Sequence, residues 1–252
     1  MSKNFELMQQ AGTAGGYATT VEVSLSGDNV SGNIRRNGAG LDLSSLAGEE
    51  CLKLVHRVFL PHSVEGPHIV MFAGIDRGNG CSRTCVGIAK TLAQNVSGSV
   101  CLVDANLRSP SLPQYLSVNN HRGLAEALLE EGPIRGFAKQ LHPENPWLLS
   151  CGGLVSDSPG VLRSARLKTR LQELRSEFNY VLIDVPALNQ YSDGIGLGQL
   201  TDGVVLILEA NSTRRESARK VTESLRNANV PILGAVLNRR TYPIPQLLYQ
   251  RL

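Results

Sequence analysis

The sequence predicts an α/β fold with a doubly wound, mainly parallel sheet. Six short segments rich in Val, Ile and Leu alternate with amphipathic stretches along most of the chain. Nearly continuous apolar runs are typical of strands that are covered on both faces, and repeated strand–helix alternation indicates parallel pairing. In such a sheet the binding residues lie at the carboxyl ends of the strands. The predicted strands are His68–Ala73, Ser99–Val103, Trp147–Cys151, Tyr180–Val185, Gly203–Leu208 and Ile232–Leu237.

Amphipathic helices are predicted before and between these strands. The first carries Leu52, Val55 and Val58 at helical spacing and ends before Pro61. The predicted helices are Ala47–Leu60, Ser82–Gln94, Gly123–Glu131, Leu162–Glu177 and Arg214–Asn229. Residues 1–46 are rich in Gly, Ser, Thr and Asn, and we expect a flexible arm there. The α/β domain is expected over residues 47–240, with a tail over residues 241–252.

Composition excludes several classes of protein. The chain has 252 residues, of which 42% are hydrophobic, so a packed core is expected and wholesale disorder is excluded. A formal charge of +3 is too small, and too scattered, to favour nucleic acid as a partner. No apolar run reaches the roughly 18 residues of a membrane span, and the N-terminus lacks the apolar stretch of a signal peptide. We expect a cytoplasmic protein, which leaves docking on a membrane partner open.

The five cysteines do not form a disulfide or metal framework by their spacing. No C-x-x-C pair is present, and an odd number leaves at least one thiol unpaired. Cys81 and Cys85 share a helix face, but two ligands without a third are weak support for zinc. We expect most of them to be small buried residues. The five are Cys51, Cys81, Cys85, Cys101 and Cys151.

The loop after the first predicted strand, Gly74–Thr84, allows three interpretations. As a phosphate-binding loop of the form G-x-x-x-x-G-K-[ST], it matches at Gly80 and Ser82 but has Cys81 in place of the lysine. As a dinucleotide-binding loop it would use Gly78 and Gly80, with Asp104 on a ribose hydroxyl. As a structural turn it would bind nothing. The loop alone does not separate these alternatives.

Two aspartates at the ends of later strands favour the phosphate-binding interpretation. Asp104 ends a predicted strand and is followed by Asn106 and Arg108, and Asp184 ends the hydrophobic run Tyr180–Val185 in the manner of a Walker B element. A single aspartate at a strand end is often only a cap. Two of them beside one Gly-rich loop are better explained by a shared cation site.

In order along the chain, these segments resemble the bacterial tyrosine kinases of capsular and exopolysaccharide synthesis. The family's loop, approximately PGEGKST, aligns with RGNGCSR at Arg77–Arg83, and its motif close to hhhDADLRRPSL aligns with LVDANLRSPSL at Leu102–Leu112. The Walker B segment aligns with Val181–Pro186. The similarity runs from about Glu49 to Asn238. It implies the P-loop NTPase-like fold of the deviant Walker A branch.

The resemblance assigns roles to particular residues. It implies that Gly78, Gly80, Cys81, Ser82 and Arg83 form the nucleotide-binding loop for ATP or ADP. It further implies that Ser82, Asp104 and Asp184 hold Mg²⁺, and that Asp104, Asn106 and Arg108 occupy the catalytic positions.

Several departures from the family pattern affect the catalytic parts. Cys81 replaces the lysine, and Asn106 replaces a second acidic residue, so a charge and a carboxylate base are both missing. In the predicted first helix, Glu50, Lys53 and His56 stand where the family has the oligomerisation motif E-x-x-R-x-x-R. The tail has only two tyrosines, Tyr242 and Tyr249, where the family has a cluster.

We therefore predict a degenerate, kinase-like protein that regulates or scaffolds polysaccharide synthesis and export. By resemblance its partner is a membrane-embedded chain-length or co-polymerase protein, and a homo-oligomer is open. One alternative is an active tyrosine autokinase in which Arg77, Arg83 or Lys90 supplies the missing charge and Tyr242 or Tyr249 accepts phosphate. A remote alternative is an NAD-binding oxidoreductase.

Overall fold

One eight-stranded sheet organises the chain. The computed structural model describes residues 19–21, 43–60, 66–141, 146–153, 160, 162 and 164–239. The sheet has the order β1-β8-β7-β2-β6-β3-β5-β4, and every neighbouring pair is parallel except β4–β5. In chain order the strands are β1 (Thr19–Val21), β2 (Ile69–Gly74), β3 (Val100–Asp104), β4 (Lys139–Gln140), β5 (Trp147–Leu149), β6 (Tyr180–Val185), β7 (Gly203–Glu209) and β8 (Ile232–Asn238).

Helices cover both faces of this sheet, as expected for a doubly wound fold. In chain order they are α1 (Leu43–Val58), α2 (Cys81–Asn95), α3 (Leu112–Tyr115), α4 (Leu124–Leu129), α5 (Arg166–Glu177), α6 (Asp193–Gly198) and α7 (Arg215–Asn227), with a 3₁₀ turn at Ile134–Gly136. No helix in the described part of the chain is long and apolar enough to cross a bilayer.

The central strands bury alternate residues in two apolar layers. Along β2, Ile69 and Met71 face the layer that packs on α4, α5 and α7, whereas Val70 and Phe72 face the layer formed with α1 and α2. All six residues of β2 are buried. Strands covered on both faces read as continuous apolar runs, which is why the sequence predicted them correctly.

The predicted elements agree closely with the structure. All six predicted strands are present, and the predicted Trp147–Cys151 strand ends at Leu149. The four predicted helices after the first strand are also present, the third of them beginning at Arg166 rather than Leu162. Strands β1 and β4 and helices α3 and α6 were not predicted, because each has seven residues or fewer and shows no sustained periodicity.

The ends of the chain differ in part from expectation. Most of the expected arm, residues 1–46, lies outside the described residues, but Thr19–Val21 within it pairs in parallel with β8. Helix α1 begins at Leu43, four residues before the predicted start at Ala47. The tail with Tyr242 and Tyr249 lies outside the described residues.

Candidate functional site

The loop between β2 and α2 presents backbone N–H groups at the edge of the sheet. Gly78 and Gly80 have φ values of 88° and 80°, which favour glycine. A Cβ on Gly80 would collide with the Asn238 amide, so no other residue fits there. No side chain caps the first turn of α2. Its N–H groups and the positive end of the helix dipole are therefore available to an anion.

Two buried asparagines fix the shape of this loop. The Asn79 side-chain oxygen accepts a hydrogen bond from the Asp76 N–H at 2.7 Å. The Asn238 amide, at the end of β8, donates to the Asn79 carbonyl at 2.9 Å. Asn79 and Asn238 are 2% and 3% exposed, so these bonds are shielded from water. The loop is held in shape before any ligand arrives.

Two aspartates stand side by side at the carboxyl ends of β3 and β6. Asp104 and Asp184 are register partners on neighbouring parallel strands, and both are fully buried. Asp104 accepts hydrogen bonds from the backbone N–H groups of Asn106 at 3.1 Å and Leu112 at 3.2 Å. Neither carboxylate oxygen of Asp184 has a partner at hydrogen-bond geometry, although the Ser82 hydroxyl and the Cys81 thiol lie nearby. A buried carboxylate without partners is costly, which makes Asp184 a candidate to contact a cation.

Burial raises the pKa of both carboxyl groups above the ordinary value. For Asp104 the neighbouring Asp184 charge raises the pKa further, and its backbone N–H donors oppose the rise. For Asp184 the nearby Ser82 hydroxyl and Cys81 thiol oppose the effect of burial. A divalent cation would stabilise the ionised carboxylates, so its binding here would compete with protons.

Cys81, the first residue of α2, stands between the loop and this acid pair. Burial and the Asp184 charge raise the pKa of its thiol well above the ordinary value, so the side chain is neutral at physiological pH. Cys85, one helical turn later, is fully buried and its pKa is raised by burial and by both aspartates. The lysine position of the loop therefore carries no charge.

A cavity of about 360 Å³ opens above the loop. Four arginines line it: Arg77 from the loop, Arg83 from α2, Arg108 after β3 and Arg239 after β8. The Arg239 guanidinium donates to Glu209 at 3.1 Å. A cavity with this much positive charge at its rim suits an anionic ligand.

Arg108 is held in place by partners from a distant part of the chain. Its guanidinium donates to Asp193 at 2.8 Å and lies 4.4 Å from the ring centroid of Tyr191. The Asp193 side chain is 5% exposed. No local sequence pattern indicates this contact, since 85 residues separate Arg108 from Asp193.

The structure brings the predicted site residues together at one sheet edge. Asp104 and Asp184 lie buried beneath the cavity rather than on its wall. Because both oxygens of Asp104 accept backbone N–H groups, this residue is not presented to a ribose, which disfavours the dinucleotide-binding interpretation. The predicted residues on the cavity wall are Gly78, Gly80, Cys81, Ser82, Arg83, Asn106 and Arg108.

Sequence reasoning missed the residues that support the site. Asn79, Tyr191 and Asp193 carry no motif of their own. Asn238 stood at the end of a predicted strand, which was the one available signal. Tyr115 and Gln190 also line the cavity and were not singled out.

Similarity to known proteins agrees with this geometry, although no model of a known family matches the chain. Tyrosine-protein kinase YwqD of Bacillus subtilis is 28% identical over 67% of this chain and 71% of its own length. Tyrosine-protein kinase CpsD of Streptococcus agalactiae is 22% identical over 68% and 75%. The kinase domain of Escherichia coli tyrosine kinase ETK has a TM-score of 0.77 at 18% identity, covering 97% of this chain and 98% of that domain.

In sequence and in fold the chain is therefore similar to bacterial tyrosine kinases. Its fold is also that of a wider group, which includes cobyrinic acid a,c-diamide synthase from Mycobacterium smegmatis, solved with an ATP analogue and magnesium. That neighbour has a TM-score of 0.56 at 17% identity, covering 67% of this chain and 70% of its own. The succinoglycan biosynthesis transport protein ExoP of Rhizobium meliloti is 28% identical over 55% of this chain, but the match spans 18% of ExoP.

Proposed function

We propose that this chain is a member of the bacterial tyrosine kinase family that regulates or scaffolds capsular or exopolysaccharide synthesis and export, and that it transfers phosphate poorly. The observation that carries the proposal is that Cys81, whose thiol is uncharged, stands at the lysine position of the loop and lines the cavity. In a phosphate-binding loop that lysine pairs with the transferring phosphoryl group. Catalysis of phosphoryl transfer is almost entirely positioning and electrostatic stabilisation, so loss of this charge removes a main contribution.

The residues present still fit a nucleotide with Mg²⁺. Gly78, Gly80 and the first turn of α2 would hold the phosphates, and Ser82 with the unpartnered Asp184 would hold the cation, with Asp104 beside them. When bound, Mg²⁺ would neutralise phosphate charge. Binding is therefore expected to survive better than turnover.

Asn106 adds a second defect in the catalytic parts. Its side-chain oxygen accepts the Ser109 N–H at 3.2 Å, and its own N–H donates to Asp104. The amide thus stabilises the turn after β3. It cannot take a proton from an acceptor hydroxyl, because an amide has no basic site near neutral pH.

Titration calorimetry with Mg-ATP and Mg-ADP tests this proposal. We expect nucleotide binding with no measurable turnover in the same samples. The matched control is Asp184→Asn, which should weaken binding of the magnesium complex. Micromolar binding accompanied by steady hydrolysis, lost in the control, would overturn the proposal.

A second candidate function is an active tyrosine autokinase. It is favoured by the arginines that line the cavity, because Arg77 and Arg83 stand near the loop and could supply charge to the phosphates. Lys90, which lies further along α2, is not on the cavity wall. This candidate predicts that γ-phosphate appears on Tyr242 or Tyr249 and that Arg77→Ala or Arg83→Ala abolishes the transfer.

We further propose a partner at the inner face of the membrane. The support is the similarity to part of ExoP, which is named a transport protein of succinoglycan biosynthesis. A membrane-embedded chain-length or co-polymerase protein would bind near the cavity and sense nucleotide occupancy. Co-purification of the chain with a membrane-embedded co-polymerase protein, with and without Mg-ADP, tests this inference.

A further inference from the structure

Helix α7 and the residue before it carry the net charge of the chain. Of the 25 basic and 22 acidic side chains, five basic and two acidic ones lie in residues 214–226. The remaining 239 residues carry 20 of each sign, so the whole formal charge of +3 lies in this segment. Single basic residues are spread along the sequence, but the excess of positive charge is not. The basic side chains of the segment are all exposed: Arg214, Arg215, Arg219, Lys220 and Arg226.

Three of these arginines form a stripe along the exposed face of α7. Successive residues of a helix are rotated by about 100°, which places Arg215, Arg219 and Arg226 within about 40° of one another around the axis. At about 1.5 Å per residue, the stripe is about 16 Å long. Glu216 and Glu223 lie to one side of it, and the Arg219 guanidinium donates to Glu223 at 2.9 Å. Both side chains of that pair stay more than half exposed, so the pair is weak and the stripe remains a row of cations at the surface.

Acidic groups of the elements next to α7 do not cancel this charge. Helix α6, which contacts α7, has one acidic residue, Asp193, whose side chain is 5% exposed and pairs with Arg108. Asp202, in the turn after α6, pairs with Arg175. Glu209, at the end of β7, pairs with the arginine that follows β8. Each of these carboxylates is therefore balanced by its own cation, and the stripe keeps its positive potential.

The surface of α7 suits an anionic membrane better than a protein. Its large apolar side chains, Val221 and Leu225, are buried in the core. The exposed face of α7, every residue of which the structure describes, therefore offers cations without an apolar or aromatic anchor. The centre of a protein–protein interface is normally depleted of charge and rich in aromatic side chains. A bilayer with acidic headgroups attracts Lys and Arg side chains through its own negative surface potential and needs no apolar contact. The membrane-embedded partner proposed above places the chain beside such a surface, which favours lipid over nucleic acid.

We propose that the arginine stripe of α7, formed by Arg215, Arg219 and Arg226, docks the chain on a lipid surface that is rich in acidic headgroups. The inference goes beyond the proposed function, and it rests on the proposed membrane partner only for the choice of lipid over nucleic acid. The contact is electrostatic and buries no apolar surface, so it is weak by itself and sensitive to salt. Alongside a membrane-embedded partner, it holds the chain at the membrane and raises the effective concentration at which the two proteins meet.

Co-sedimentation of the full chain with lipid vesicles tests the proposal. The vesicles contain either phosphatidylcholine alone or phosphatidylcholine mixed with phosphatidylglycerol, which supplies net negative charge. We expect binding to the acidic vesicles only, at about 0.05 M salt, and loss of that binding at about 0.5 M, where the Debye length falls to roughly 4 Å.

A triple variant tests the stripe itself. Arg215→Gln, Arg219→Gln and Arg226→Gln in one chain should weaken binding to the acidic vesicles at least ~10-fold, because each basic side chain near such a surface contributes about 5-fold. The three positions are exposed, so the substitutions leave the core unchanged. Circular dichroism establishes that the variant is folded.

The matched control removes three positive charges elsewhere on the surface. It combines Lys53→Gln in α1, Lys90→Gln in α2 and Lys139→Gln in β4, all of which are exposed. Its net charge equals that of the triple variant. Because α1 and α2 cover the opposite face of the sheet from α7, and β4 lies at its far edge, the control should bind acidic vesicles within about 2-fold of wild type.

The opposite results overturn the inference. Failure of wild type to bind acidic vesicles at low salt, equal binding by the triple variant, or equal loss in the control would each remove the stripe as a lipid-docking surface. Fluorescence anisotropy with a labelled DNA duplex at the same salt completes the test. Binding to DNA that the triple variant loses, without binding to vesicles, would assign the stripe to nucleic acid instead. Because these assays contain no nucleotide, their failure leaves the regulatory proposal standing, and ATP turnover would overturn that proposal without changing vesicle binding.

Discussion

Replacing Asp184 by asparagine should make the protein more stable in the absence of metal. Asp184 and Asp104 are register partners at the ends of β6 and β3, and both are fully buried. Asparagine has nearly the same shape as aspartate and removes one of the two negative charges. A buried carboxylate that serves function rather than stability lowers the free energy of unfolding, so its removal should raise that free energy.

The magnitude follows from the strand spacing. Neighbouring strands lie about 4.8 Å apart, so two carboxylates at register positions are separated by roughly 5–6 Å. At an effective dielectric constant of about 20, their repulsion is about 3 kcal/mol. Burying an unpartnered amide in the same place costs about 1 kcal/mol, which offsets part of the stability gained by removing the repulsion. The net gain of about 2 kcal/mol corresponds to a rise in Tm of about 4–8 °C for a domain of this size.

The gain in stability of Asp184→Asn over wild type should increase as the pH rises. Burial raises the pKa of both aspartates, so at low pH the pair is protonated and the repulsion is absent. As the pH rises from about 4 to about 8, the carboxyl groups ionise in the folded state and wild type loses stability. The difference between Asp184→Asn and wild type should therefore be small at pH 4–5 and largest near pH 8.

Thermal unfolding in EDTA at several pH values measures this difference. Asp202→Asn is the control, because the Asp202 carboxylate accepts the backbone N–H groups of His68 and Ile69, both at 2.8 Å, and pairs with Arg175. That substitution should destabilise the protein. A Tm for Asp184→Asn at or below that of wild type at pH 8 would refute the reasoning about the acid pair.

Three further predictions concern the loop, its support and the core. Cys81→Lys should raise Mg-ATP affinity ~10–100-fold, a gain of about 1.4–2.8 kcal/mol, whereas the uncharged Cys81→Met should not, as measured by calorimetry. Asn238→Ala removes the donor to the buried Asn79 carbonyl, so it should lower the unfolding free energy by about 1–3 kcal/mol and weaken nucleotide binding. Asn238→Asp keeps the shape of the side chain without the amide donor and should have the same two effects. Arg170 is 5% exposed and donates to the carbonyls of Ala127, Glu130 and Gly132. Arg170→Ala should therefore lower the free energy of unfolding in urea by about 3–5 kcal/mol, whereas Arg219→Ala, at an exposed arginine, should leave it nearly unchanged.

The strands could be predicted because burial on both faces leaves a strong local mark. Tyr180–Val185 matches its predicted bounds, since it lies in the sheet interior and nearly every residue is apolar. Lys139–Gln140 could not be predicted, because its two exposed residues become a strand only by pairing with β5. Thr19–Val21 likewise depends on pairing with β8, which is more than 200 residues away in sequence.

The site residues divide in the same way. Gly80, Asp104 and Asp184 were identified because loop glycines and strand-end aspartates form local patterns. The partners that hold the site, such as Asp193 on Arg108 and Asn238 on Asn79, are defined by long-range hydrogen bonds. No local sequence pattern predicts that both carboxylate oxygens of Asp184 are buried without hydrogen-bond partners. That property arises only when α2 packs over the end of β6 in the folded chain.

Transfer of the γ-phosphate of labelled ATP is the most direct test of the central claim that the Cys81 loop does not support catalysis. Wild type and Asp184→Asn are incubated side by side with Mg-ATP, and label on protein and free phosphate are counted. We predict the same background level in both. Transfer by wild type that is abolished in Asp184→Asn would contradict the account, because it would show that the lysine-free loop supports phosphoryl transfer.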